Sequence, residues 1–286
     1  MKINFALPKG SLEKDTFLLL KRAGYRITNT ERSYKPKLND PDLNVKMLRP
    51  QEIPKFVEAG NYDIGISGID WVVETQADVV ELLDLNYGKV SLVVAVSNES
   101  EIKTKEDLKE LGRVRVATEY MSISKRYFEE LGIKADIMFS WGATEAKPPE
   151  EADVIIDNSA TGKTIKENDL RIIDTLMTST ARLIANKNSM IGEKFEKINS
   201  VKIMLDGAVR GESKVIIEMN VPEEKVDTVA SLLPALEKPT ISKLYGENWF
   251  SLKTVVNELD VIKLIPKLKK AGAKDIVEYE IRKIIP

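Results

Sequence analysis

What most constrains this chain is a repeated alternation along residues 3–186 of short apolar runs with segments of helical spacing. The strand-like runs are "INFALP" (3–8), "VKMLRP" (45–50), "YDIGISG" (62–68) and "VSLVVAV" (90–96), then "RVRVAT" (113–118), "ADIMFS" (135–140), "DVIID" (153–157) and "ARLIAN" (181–186). Helical spacing fills 12–25, 51–61, 104–112 and 122–132; the third of these has a Thr start, early acids and a closing Gly. Strands alternating with helices predict parallel sheets covered on both faces. Ligands of such sheets bind where strand-end loops gather at the carboxyl edge.

After residue 187 the pattern changes. Residues 189–211 read as a charged helical connector. A strand (214–221), a helix opened by Pro and two acids (222–236), a hairpin (239–245 and 249–256), a helix (260–273) and a closing strand (275–285) follow. That order is βαββαβ, the ferredoxin-like arrangement.

Two zeros in the composition limit the chemistry. The 286 residues include no cysteine and no histidine. This excludes thiolate nucleophiles, thiolate or imidazole metal sites and a Ser-His-Asp triad. Carboxylates, Lys, Arg, Tyr, backbone amides or an oxygen-bound hard metal remain, a set suited to phosphorylated substrates. A net charge of −2 gives no global field toward nucleic acid or an anionic membrane. "MKINFAL" does not read as a signal peptide, and no apolar run is of bilayer length, so a cytoplasmic protein is expected.

Four loops are candidates for the site. "VIIDNSATGKTIKEN" ends a strand in Asp157 and continues through Asn158, Ser159, Ala160, Thr161, Gly162, Lys163 and Thr164. Its Gly-Lys-Thr looks like the end of a triphosphate P-loop, but Asp157 occupies the position of that motif's first glycine. Amides at a helix starting near Thr164, beside a carboxylate, fit a phosphorylated ribose better than a triphosphate. An ordinary turn and helix cap gives the same sequence. "ALPKGSL" offers Lys9, Gly10 and Ser11 after the first strand, and "MLRP" places Arg49 at a strand end. "DIGISGIDWV" carries Gly68 and Asp70, where the plain alternative is that Asp70 caps a helix and Trp71 packs in the core. "SWGATEA" carries Glu145.

Taken together, "ALPKGSL", "LRPQEIPKFVEAGNYDIGISGIDWVVE", "ADVIIDNSATGKTIKENDL", "STARLIAN", "LLPALEKPTISKL" and "LKKAGAKDIVEYEI" resemble the long form of ATP phosphoribosyltransferase, the first enzyme of histidine biosynthesis. The resemblance implies an α/β fold with a two-lobed catalytic region like that of type II periplasmic binding proteins. Lobe I would comprise residues 1–92 and 178–188, lobe II residues 93–177, and the connector 189–212. A ferredoxin-like regulatory domain over 213–286 would bind L-histidine as inhibitor and support a homo-oligomer, from dimer to hexamer. The substrates implied are ATP and phosphoribosyl pyrophosphate with Mg²⁺, the metal held mostly by substrate oxygens and water.

By motif position, Asp157 would meet the ribose hydroxyls and residues 159–164 the 5-phosphate. Lys9 and Arg49 would meet pyrophosphate or triphosphate charge, and Gly68, Asp70 and Glu145 the nucleotide. Asn220, Thr240 and Val255 would be histidine contacts. Two departures stand out: "KPPEE" (147–151) replaces a less charged, Gly-containing stretch, and Lys163 adds a cation inside the loop. Competing readings are a solute-binding or sensor protein and a transferase for another base.

Overall fold

The computed structural model describes residues 2–28, 34–234 and 238–286. The chain divides into two compact units, Met1–Lys21 with Tyr25–Lys202, and Arg22–Gly24 with Ile203–Pro286.

The first unit opens with β1 (Ile3–Pro8), α1 (Glu13–Ala23), two short strands β2 (Ile27–Thr28) and β3 (Lys37–Leu38), β4 (Leu43–Leu48), α2 (Ile53–Glu58), β5 (Ile64–Gly68), α3 (Ile69–Thr75) and β6 (Val80–Asp84). Next come β7 (Val90–Ser97), β8 (Val114–Thr118), α4 (Met121–Leu131), β9 (Ala135–Phe139), β10 (Val154–Ser159), α5 (Lys163–Glu167), β11 (Leu170–Ser179), β12 (Ala181–Ala185) and the start of α6 (Gly192–Arg210). Two five-stranded sheets result, ordered β4-β1-β5-β12-β6 and β11-β7-β10-β8-β9. The chain leaves the first sheet after Asp84, enters the second at Val90, and returns through Thr180 into β12. Leu85 N–H donates to Ala181 O and Ala181 N–H to Tyr87 O, so the two passages are hydrogen-bonded side by side. The outward passage covers residues 85–89. This doubly crossed, two-lobed α/β arrangement is the one the resemblance implies.

The apolar run in β7 is continuous because both its faces are buried. Leu92, Val94 and Val96 join one core with Tyr120, Phe128 and Ile156, while Val93 and Ala95 join the opposite one with Ile155 and Leu170. In the first sheet Gly65 leaves room for α2, since a Cβ there would lie 2.5 Å from Ile53 Cγ2.

Several elements differ from the sequence expectation. β11 carries no period-two signal because register shifts at Ile172/Asp174 and Thr175/Met177 break its alternation. The segment 104–112 forms only a 3-10 turn, Asp107–Leu111. Its first acid folds the entry back on itself: Asp107 Oδ2 accepts from Lys103 N–H and Thr104 N–H at 2.8 Å each.

The second unit is built from the rest of α6, β13 (Lys214–Pro222), α7 (Val226–Ala230), β14 (Thr240–Lys243), β15 (Trp249–Asn257), α8 (Glu258–Ala271) and β16 (Lys274–Glu280). Its four-stranded antiparallel sheet runs β14-β15-β13-β16, the ferredoxin-like order. Val215, Ile217, Met219 and Val221 alternate inward against Leu252, Val256, Val261, Leu264 and Leu268. α7 is much shorter than the helix expected over 222–236; the end of that segment, residues 235 and 236, lies outside the described residues. Pro234 lacks the N–H needed to continue it. β16 stops at Glu280, opposite Val215 near the start of β13.

Candidate functional site

Parallel pairing aligns the carboxyl ends of β4, β1 and β5 in the first sheet and of β10, β8 and β9 in the second. A cleft of about 260 Å³ opens among these ends. Lys9, Gly10, Ser11 and Arg49 line it from the first sheet, with Gly68 and Asp70 beside them. Asn158, Glu119 and Tyr120 line it from the second. A hollow of about 430 Å³ between α4 and β9 is larger, but it is walled by Phe128, Ile133, Ala135 and Ile137 and gathers no strand-end loops. The smaller cleft, where the strand-end loops gather, is the candidate site.

On the first-sheet side the basic groups converge through glycine. Gly10 has φ +96°, and a Cβ there would lie 3.7 Å from an Arg49 guanidinium nitrogen. Lys9 Nζ sits 4.2 Å from the centre of the Tyr34 ring, a cation–π contact that orients the amine. Gly68 is needed for space: a Cβ there would fall 2.1 Å from Asp70 Oδ1.

Asp70 is buried at the join of the two lobes. Its Oδ1 accepts from Ser179 Oγ at 2.6 Å and its Oδ2 from the Tyr120 hydroxyl at 2.7 Å. Asn158 Nδ2 donates to the same hydroxyl at 3.2 Å. Burial first, then the Asp70 carboxylate, pushes the Tyr120 phenol far up, so it remains a donor. Trp71 stacks on Tyr120 with centroids 4.4 Å apart and planes at 18°. Asp70 is thus no helix cap; Gly68 holds that position, and Asp70 lies in the first turn of α3. Trp71 is half-buried: it packs against the core of the second sheet and also lines the cleft.

Asp157 is half-buried on β10 and accepts from Asn158 N–H at 2.7 Å. Its carboxyl is pushed up to about 6, by burial first and then by Glu145 and Glu119, against the downward pull of the Asn158 N–H. Three acids therefore share one field. Gly162, at φ +73°, turns the loop and donates its N–H to Ser159 Oγ at 2.9 Å. α5 begins at Lys163, one residue ahead of Thr164, and is only 5 residues long, so the loop's own amides and hydroxyls dominate over any helix dipole. Lys163 is exposed and pairs with Glu167 at 3.5 Å along the helix. Asp157, Glu145 and residues 159–164 lie outside the 260 Å³ cleft lining, at its second-sheet side.

The "KPPEE" segment is pinned from below. Arg115 donates to Pro149 O at 3.0 Å, Glu150 O at 2.6 Å and Asp153 Oδ1 at 2.7 Å. In the second unit Asn220, Thr240 and Val255 share the sheet face opposite the core, since Val221, Leu252 and Val256 point inward. They lie in separate rows, opposite Ser251, Lys253 and Ile216. Sequence reasoning missed Glu119, Tyr120 and Ser179. The first two follow "RVRVAT", a strand whose end offers the same acid-after-strand signal as Asp157. Ser179 ends β11, which carries no readable period.

Two sheets linked by two passages around a polar cleft define a two-lobed α/β cleft protein with an appended ferredoxin-like unit. Comparison makes this particular. The family model described as "ATP phosphoribosyltransferase" matches residues 49–207, and that described as "HisG, C-terminal domain" matches residues 211–283. The chain is 44% identical, over 100% of both chains, to the ATP phosphoribosyltransferase of Pelotomaculum thermopropionicum. It is 45% identical to that of Thermodesulfovibrio yellowstonii over 99% of this chain and 98% of the relative. Among solved structures, the ATP phosphoribosyl transferase (HisG:HisZ) complex from Thermotoga maritima matches with TM-score 0.61 and 26% identity, over 71% of this chain and 98% of that one. The chain belongs to the ATP phosphoribosyltransferase family, the pentosyltransferases of the first step of histidine biosynthesis. Among the described residues, no helix is long and apolar enough to cross a membrane.

Proposed function

We propose that this cleft transfers the phosphoribosyl group of phosphoribosyl pyrophosphate to a ring nitrogen of ATP's adenine, releasing pyrophosphate, and that L-histidine inhibits the reaction. The observation that carries the reading is the meeting of Lys9, Gly10 and Arg49 from one sheet with Asn158, beside Asp157, from the other. The ring nitrogen attacks the anomeric carbon with its own lone pair as the bond to pyrophosphate breaks, so no strong base is required. Lys9 and Arg49 stabilise the charge that grows on the departing pyrophosphate. Asp157, once ionised, accepts hydrogen bonds from the ribose hydroxyls and faces the positive charge that develops on the sugar. Ser159, Ala160, Thr161, Gly162 and Thr164 hold the 5-phosphate; Lys163, turned toward Glu167, contributes little. Gly68, Asp70 and Glu145 line the nucleotide side.

Among the described residues, no three carboxylates are placed to hold a metal ion. Mg²⁺ would enter with the substrate, held mostly by substrate oxygens and water, and would supply charge stabilisation to the leaving pyrophosphate. In the second unit, the face carrying Asn220, Thr240 and Val255 is the proposed histidine-contacting surface. We place the enzyme in the cytoplasm as a homo-oligomer, from dimer to hexamer, with no nucleic-acid or membrane partner.

The test is incubation with ATP, phosphoribosyl pyrophosphate, Mg²⁺ and pyrophosphatase, followed by mass spectrometry, with and without L-histidine. Phosphoribosyl-ATP that falls with histidine is the expected result. Product insensitive to histidine refutes the regulatory assignment, and absence of product with phosphoribosyl pyrophosphate still bound refutes ATP as acceptor.

A further inference from the structure

α3 follows β5 of the first sheet, yet much of its side-chain surface is engaged with the other lobe. Trp71 and Val73 pack against the core of the second sheet. Asp70 takes the Tyr120 hydroxyl. One turn further along α3, Glu74 accepts from Ser122 N–H through Oε1 and from Ile123 N–H through Oε2, each at 2.9 Å. Those amides belong to the first turn of α4, where N–H groups have no partner within the helix. A carboxylate on such amides forms charge-assisted bonds that the helix dipole favours.

The residue at the N-cap of α4 is Tyr120, which supplies no side-chain cap. Ser, Thr, Asp or Asn normally fills that position. Tyr120 is committed instead to Asp70 and to the stack on Trp71. The cap is delivered from the other lobe, by a residue that does not itself line the cleft. Glu119 and Tyr120, which do line it, sit immediately before α4. The Glu74 bonds therefore tie α3 to the helix that directly follows this wall of the cleft.

We propose that Glu74 is a positioning residue for phosphoribosyl transfer, clasping the two lobes so that Glu119 and Tyr120 face Asp70 at a fixed separation. This rests on the reading that ATP and phosphoribosyl pyrophosphate meet in the cleft. The chain has three tryptophans, and in a Trp141→Phe/Trp249→Phe background Trp71 alone reports on the α3–α4 contact. In that background Glu74→Gln keeps the side-chain shape but loses the charge and one acceptor. The expected result without substrates is a red-shifted Trp71 emission. With substrates, kcat/KM for both is expected to fall about tenfold, one charge-assisted bond's worth. Glu74→Asp, with its charge kept but its reach shortened, is expected to be intermediate in both readouts. If Glu74→Gln does not fold, Glu74→Asp carries the same test with the same expected direction. Unchanged Trp71 emission with kcat/KM within twofold of the background overturns the proposal even if thermal stability falls, since Glu74 would then only cap a helix. A shifted emission in a background that makes no phosphoribosyl-ATP would leave the clasp standing and overturn the functional reading instead.

Discussion

Replacing Asp157 with Asn should make the protein more stable at neutral pH while disabling it. Burial pushes the Asp157 carboxyl from its ordinary 3.8 up to about 6, with Glu145 and Glu119 adding to the effect. The folded state therefore holds this proton more tightly than the unfolded chain does. The neutral form's advantage is fully present below about pH 3.8 and is lost as pH rises through about 6. Above that, folding carries the cost of an ionised, half-buried acid among acids. At ~1.4 kcal/mol per pH unit the cost is at most about 3 kcal/mol, and solvent access reduces it to roughly 1–3 kcal/mol. Asp157→Asn removes the charge and keeps an oxygen for the Asn158 N–H.

For a unit of this size, 1 kcal/mol moves the thermal midpoint by roughly 2–4 °C. The midpoint of Asp157→Asn should thus exceed that of the parent by several degrees at pH 7.5, and the gap should close as pH falls toward 4. Thermal unfolding at half-unit pH steps is the assay, with turnover measured in parallel. Loss of turnover should accompany the gain in stability, because an amide cannot face the developing sugar charge as a carboxylate does. In the parent, kcat/KM for phosphoribosyl pyrophosphate should show an acidic limb near pH 6. A midpoint difference that does not change with pH, or a variant less stable at pH 7.5 than at pH 4.5 relative to the parent, would refute the argument.

Asp63 should behave with the opposite sign. Burial pushes its carboxyl up, but hydrogen bonds from Lys194, Ser189 and the Asn4 N–H outweigh this and hold it below its ordinary 3.8. Its stabilisation is present above that value and lost on acidification, and Asp63→Ala should cost about 2–3 kcal/mol at pH 7 in denaturant unfolding, with a smaller deficit near pH 3. Gly68→Ala should expel the Asp70 carboxylate and forfeit its bonds to Ser179 and Tyr120, lowering unfolding free energy by about 2–4 kcal/mol. Urea titration checks this, and an unchanged midpoint would mean that Asp70 relaxes without loss. Arg115→Ala should free the segment it pins, so that a glutamate-specific protease cuts at Glu150 or Glu151 in the variant and not in the parent.

The elements that could be read from sequence are those whose burial is periodic or complete. β1, β7 and β8 were legible because apolar residues fill them, and α4 because its apolar side repeats at helical spacing. β11 was not, because its bulges desynchronise the side chains from the pleat. The site shows the same division. Asp157, Lys9 and Arg49 stand at the ends of legible strands and could be named from position alone. Glu74 could not, since its partners, the Ser122 and Ile123 N–H groups, belong to the other lobe. A lobe-to-lobe contact leaves no local pattern: Glu74 reads as a polar residue on a short helix until α4 is seen to lack a cap of its own. Contacts made between two lobes are therefore what a single sequence conceals, while charged side chains at strand ends are what it exposes. Glu74 and Asp157 put that distinction within reach of the same assay. A change at Asp157 should alter turnover with the lobes still clasped, whereas a change at Glu74 should disturb Trp71 before any substrate is added.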